Sequence, residues 1–99
     1  MLLVAGTLTV APERHAELVD ATRTLVTATR AEAGCIRYGL WADPDRPGHL
    51  LAFEEWESEA HLDAHLQRPH LREFQTVLAR LGLIEAGVRR YLIEEVRPL

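Results

Sequence analysis

Ninety-nine residues are enough for one domain, 1–99, and leave no room for a second. Hydrophobic residues make up 47% and charged residues 26%, a globular balance that excludes a disordered chain. The formal net charge is −4 and all eleven cationic residues are scattered arginines, which excludes nucleic acid as a partner, because phosphate binding needs a concentrated cationic face.

No stretch is long and apolar enough to span a membrane, since the apolar start of the chain is followed at once by Pro12 and Glu13. The N-terminus lacks the basic region and small-residue cleavage site of a signal peptide, so the cytoplasm is the expected location. Cys35 is the single cysteine, which excludes an internal disulfide framework.

Leu2 to Val10 is rich in Leu, Val and Thr and stops at Ala11-Pro12, which predicts a strand. Pro12 suits a first helical turn, and Glu13 and Glu17 favour the positive end of a helix dipole. Leu18, Thr22, Leu25, Val26 and Thr29 then recur at helical spacing, so a helix is expected from Glu13 to Ala33, stopped by Gly34. Cys35 to Ala42 reads as a second strand, with Ile36, Tyr38 and Leu40 on one face and Cys35, Gly39 and Trp41 on the other. Asp43-Pro44-Asp45-Arg46-Pro47-Gly48 is turn chemistry, and Leu50 to Trp56 completes a hairpin. Ser58 caps a short helix ending near Gln67. Pro69 opens another, with Leu71, Phe74, Val77, Leu78 and Leu81 as its apolar stripe. Gly82 and Gly87 bracket a loop, and Val88 to Val96 is the last predicted strand. The order β-α-β-β-α-β, with the second helix broken near Arg68-Pro69, is the split βαβ or ferredoxin-like pattern: an α+β fold with an antiparallel four-stranded sheet.

Both helices of such a domain lie on one face of the sheet. Leu2, Leu3, Val4 and Ala5 are nevertheless apolar on both parities, as are Leu50, Leu51, Ala52 and Phe53. A sheet apolar on two sides needs two covers, and a second copy of the chain is the simplest source of the other. A homodimer is therefore expected.

Glu32-Ala33-Gly34-Cys35-Ile36-Arg37-Tyr38, then the Pro/Gly turn, then Phe53-Glu54-Glu55-Trp56-Glu57-Ser58, then Ala64-His65 and Pro69-His70, form an ordered succession. It resembles the antibiotic biosynthesis monooxygenase superfamily, whose small members include quinol monooxygenase-like proteins. The resemblance covers nearly the whole chain. It implies a dimeric α/β barrel in which two four-stranded sheets pack face to face, with a pocket in each subunit between sheet and helices. The same architecture is similar to that of haem-degrading enzymes, but their pattern needs an Asn on the first strand and this chain contains none; the position of their haem-ligand His falls near Gln75.

His65 is the leading candidate for chemistry. It shares a helix face with Leu62 and Leu66, and a partly desolvated imidazole stays neutral and able to act as a base. Glu54 alternates with Trp56 on an apolar strand face, where a carboxylate needs a partner. His65 is expected to be that partner, oriented by Glu54 as in a catalytic dyad. Tyr38, Phe53, Trp56, Phe74 and His70 are the expected substrate-binding residues, because rings with a polar tip suit a flat aromatic ligand. Each of these residues also suits plain core packing. His61, His65 and His70 invite a metal reading, but no third ligand is convincingly spaced, and no metal is expected. Cys35 reads as packing. Glycines occur singly, so flavin and nicotinamide sites have no support and no cofactor is expected.

Together with these residues, the resemblance implies a cofactor-independent monooxygenase that oxidises an electron-rich aromatic, of hydroquinone or polyketide anthrone type, with O2. The alternatives are an isomerase or lyase using the same pocket, and a non-catalytic domain that binds a small molecule.

Overall fold

The computed structural model describes residues 1–99. Its elements are β1 (Leu2–Thr9), a 3-10 turn (Pro12–Arg14), α1 (His15–Arg30), β2 (Cys35–Ala42), β3 (His49–Trp56), α2 (Glu59–His65), α3 (Pro69–Leu81) and β4 (Glu85–Leu92). All strand pairs are antiparallel, in the order β2-β3-β1-β4. The expected α+β, ferredoxin-like topology is present. The expected barrel is not. The sheet is open, with β2 and β4 as unpaired edges, and barrel closure requires every edge to find a partner.

The period-two pattern decides which face is covered. Leu2, Val4 and Leu8 of β1 and Leu50, Ala52, Glu54 and Trp56 of β3 are buried beneath the helices. Leu18, Thr22 and Leu25 of α1 and Leu71, Phe74, Leu78 and Leu81 of α3 meet them, spaced three or four apart along each helix as one stripe requires. Each fully buried Leu contributes about 1.5–3 kcal/mol. On the opposite face the register places Leu3 and Ala5 of β1, Leu51 and Phe53 of β3, Trp41 of β2 and Tyr91 of β4. Trp41, Leu51 and Tyr91 are nearly half exposed there.

Three expectations about the elements need correction. The first helix is shorter than Glu13–Ala33, because Pro12–Arg14 winds as a 3-10 turn and the helix ends at Arg30. Residues 31–34 instead turn the chain, with Gly34 at φ +79° and Glu32 freed to reach the short helix. The last strand is Glu85–Leu92 rather than Val88–Val96, because its length follows its partner: Leu2 opposes Leu92 and Thr9 opposes Glu85. Ile36 does not share a face with Tyr38. The β2–β3 register shifts between Cys35 and Arg37, and this bulge turns Ile36 out to solvent and brings Cys35 opposite Trp56.

Candidate active site

The short helix α2 carries the central residue. The Ser58 side chain caps it, accepting from the His61 amide. Leu62 and His65, three apart, are the two residues it buries. The His65 ring, 2% exposed, lies 4.9 Å from the Trp56 ring and 5.3 Å from the Tyr38 ring.

The partner of His65 is Glu32, not Glu54. Glu32 Oε2 lies 2.7 Å from His65 Nδ1 and 2.8 Å from His70 Nε2, and Arg68 Nε approaches Oε1 at 3.4 Å. The expected Glu54–His65 pair does not form because Glu54 turns to its own strand, where Trp56 Nε1 donates to its Oε1 at 2.9 Å. Burial raises the Glu32 carboxyl, but the two histidine bonds outweigh it and hold the group below its usual value. An ionised carboxylate can only accept, so the proton of neutral His65 sits on Nδ1. Burial lowers the imidazole, the Glu32 bond offsets only part of this, and the net effect keeps the ring neutral at pH 7. Its one ring hydrogen bond uses Nδ1, which leaves the Nε2 lone pair for the cavity that His65 lines.

That cavity, about 410 Å3, lies between the sheet and the helices α2 and α3. Val4, Tyr38, Leu40, Ala52, Phe74 and Leu78 give it a predominantly apolar wall, and Glu54, His65 and Gln75 are among its few polar groups. Burial pushes the Glu54 carboxyl up to about 7, against the lowering effect of its Trp56 bond, with the Glu32 charge adding a further rise. Burial and then Glu54 raise the Tyr38 phenol far above its usual value, so it stays protonated. Burial, Glu32 and Glu54 likewise push the Cys35 thiol up, which keeps it from acting as a thiolate.

The structure brings His65, Glu54, Tyr38 and Phe74 to one cavity and places the other expected residues elsewhere. Phe53 lies on the opposite face of the sheet. Trp56 is fully buried behind His65, and His70 is bound to Glu32. His61 also leaves the expected histidine group: its Nδ1 meets Ser58 Oγ at 2.7 Å and its ring covers Gly34. Glu32 is the group that sequence reasoning did not assign a role. Its signal was a carboxylate in the turn just before a left-handed glycine, where the chain leaves the helix and frees the side chain to reach elsewhere.

A ferredoxin-like domain with an apolar cavity, a carboxylate-held histidine and a second buried carboxyl is what the fold and site define. Residues 1–77 match the model of the antibiotic biosynthesis monooxygenase family, and the chain belongs to that family. It is similar to the probable quinol monooxygenase YgiN of Escherichia coli K12, at 31% identity over 99 residues covering 90% of this chain and 94% of that one. Among solved structures, a Deinococcus radiodurans protein that carries this family's name has a TM-score of 0.93 at 28% identity, covering 100% of this chain and 98% of the other. Rv0793 of Mycobacterium tuberculosis has a TM-score of 0.86 at 26% identity, covering 98% of each chain. Membership supports a monooxygenase-type function in general terms. No helix is long and apolar enough to cross a membrane.

Proposed function

We propose that the protein is a cofactor-independent monooxygenase acting on an electron-rich aromatic, a hydroquinone or a polyketide anthrone, with O2 as co-substrate. The observation that carries this reading is the His65 ring, fixed through Nδ1 by Glu32 with Nε2 free toward an apolar cavity sized for a small ring system. The quinol named in the E. coli relative belongs to the same substrate class. His65 Nε2 takes a proton from the substrate and gives an anion stabilised by its aromatic system. Glu32 steadies the imidazolium as it forms, as an acid partner does in a catalytic triad. The anion passes one electron to O2, and the radical pair joins through a new C–O bond to a peroxide that takes back the proton. Loss of water then leaves a carbonyl at that carbon. For an anthrone, one ring methylene and one O2 thus become one ring carbonyl and one water.

The cavity supplies proximity and a dry setting, in which charge interactions strengthen. We also assign the exposed apolar face of the sheet, around Leu51, Phe53 and Trp41, to a second copy of this chain. Two acid–base groups in one cavity also suit an isomerase, which would turn over without consuming oxygen. An oxygen electrode with a panel of hydroquinones and anthrones separates the two. Oxygen uptake with quinone formation supports the oxygenase, and turnover without uptake overturns it.

A further inference from the structure

Glu54 has no cation to justify a charge. It sits in β3 between Val4 of β1 and Tyr38 of β2, and 7% of it is exposed. The titratable groups around it are Tyr38 and Cys35 on β2, Glu32 in the turn after α1, and His65 on α2. None of these is a resident positive charge, because His65 gives its bond to Glu32 and stays neutral. The facing residues of α1 and α3 at the cavity, Leu25, Leu71, Phe74 and Leu78, are apolar. Arg89 and Arg90 of β4 also border the cavity, but Arg89 is exposed and Arg90 is tied to Glu59 and Asp63. An ionised carboxylate is costly in such surroundings, and the neutral acid is not.

The hydrogen bonding also decides which oxygen carries the proton. Trp56 Nε1 donates to Oε1, so Oε1 is an acceptor, and the acid proton belongs on Oε2. No protein group bonds that oxygen, and the carboxyl lines the cavity that His65 lines. An O–H at the cavity with no acceptor in the protein is free to donate to a ligand oxygen that enters there.

We propose that Glu54 is the proton donor of this site, delivering its carboxyl proton to the oxygen that departs when the substrate hydroperoxide loses water. This rests on the oxygenase reading above. In that step His65 Nε2 removes the remaining hydrogen from the carbon bearing the peroxide. The C–H electron pair forms the second C–O bond, the O–O bond breaks, and the departing hydroxide takes the Glu54 proton and leaves as water. The proton on His65 then passes to the Glu54 carboxylate, which restores both groups with no net gain or loss. The Glu32–His65 pair thus works as base, and Glu54 as a separate acid whose surroundings keep it protonated in the resting enzyme. Two groups in one cavity driven apart in this way have divided acid and base duties.

The test compares wild-type protein and Glu54→Gln with a substrate from the hydroquinone and anthrone panel, measuring O2 consumed, quinone formed and organic peroxide. The amide keeps the volume and an acceptor oxygen for Trp56, and thermal melting checks the fold. The expected result is continued oxygen uptake with quinone formation down by about 100-fold, the low end of what a positioned acid supplies, and an organic hydroperoxide in its place. A measurement on the unaltered protein stands beside it: quinone formed per O2 should fall as the pH rises past about 7, where Glu54 loses its proton. A folded Glu54→Gln protein with wild-type quinone yield, or a wild-type yield that does not change across that pH, overturns the role of Glu54 alone. Wild-type protein that consumes no oxygen with any member of the panel overturns the reading beneath it.

Discussion

At the scale of single residues, the site depends on which acid His65 meets. Its bond to Glu32 joins residues 33 apart in sequence, and both side chains are almost fully buried, at 2% and 6% exposure. His65→Ala and Glu32→Gln should each lower turnover, and the double variant should be little worse than the poorer single one. Residues in contact behave this way, whereas Glu54→Gln combined with Glu32→Gln should be closer to additive. Glu32→Gln should also cost about 1.5–3 kcal/mol of stability, the worth of a hydrogen bond to a charged group, read by denaturant melts.

Glu54 predicts a pH effect of opposite sign to that of Glu32. Burial raises its folded value to about 7, above the ordinary carboxylate range of the unfolded chain, so its stabilising contribution is complete below the unfolded value and is lost as the pH rises through 7. Glu32 is held low, so its contribution is present above the unfolded value and is lost on acidification. Melts at pH 5 and pH 8 should therefore show Glu54→Gln gaining on wild type at the higher pH, by on the order of 3 kcal/mol. A difference that does not change with pH would contradict the burial argument.

At the scale of elements, most of the architecture was legible because local signals and hydrophobic period agreed. Pro12, the turn from Asp43 to Gly48, Ser58 and Pro69 each mark an element boundary in sequence and in structure. The misread parts depended on partners far along the chain. The end of β4 follows the length of β1, and the bulge at Ile36 follows pairing with β3, neither of which a local pattern encodes. The site was half legible for the same reason. Apolar spacing pointed to His65 and to a costly Glu54, but the acid that meets His65 comes from a turn on the far side of two strands.

Because Ser58 caps the helix that carries His65, Ser58→Ala should cost about 1 kcal/mol. For a domain of this size that is a fall in Tm of roughly 4–8 °C. Gly34→Ala should cost more. Its φ of +79° disfavours a side chain, and a Cβ there would fall 2.1 Å from the His61 ring.

At the scale of the whole molecule, one sheet face is covered by helices and the other leaves Trp41, Leu51 and Tyr91 nearly half exposed. Bulky apolar groups grouped on one open face are what an interface with a second copy would use. Sedimentation should give about twice the 11.2 kDa chain mass, and Leu51→Arg should return it to one chain. A wild-type monomer would remove the second cover for the sheet.

The cavity lies on the helix side, so its chemistry can be tested whatever the assembly. The most direct measurement is oxygen uptake by wild type and by His65→Ala on the same hydroquinone or anthrone, with folding checked in parallel. A positioned base contributes about 100-fold to 10,000-fold, so uptake by the folded variant should fall within that range if proton removal limits the rate. A folded His65→Ala protein that consumes oxygen as fast as wild type would contradict the assignment of His65 as the base.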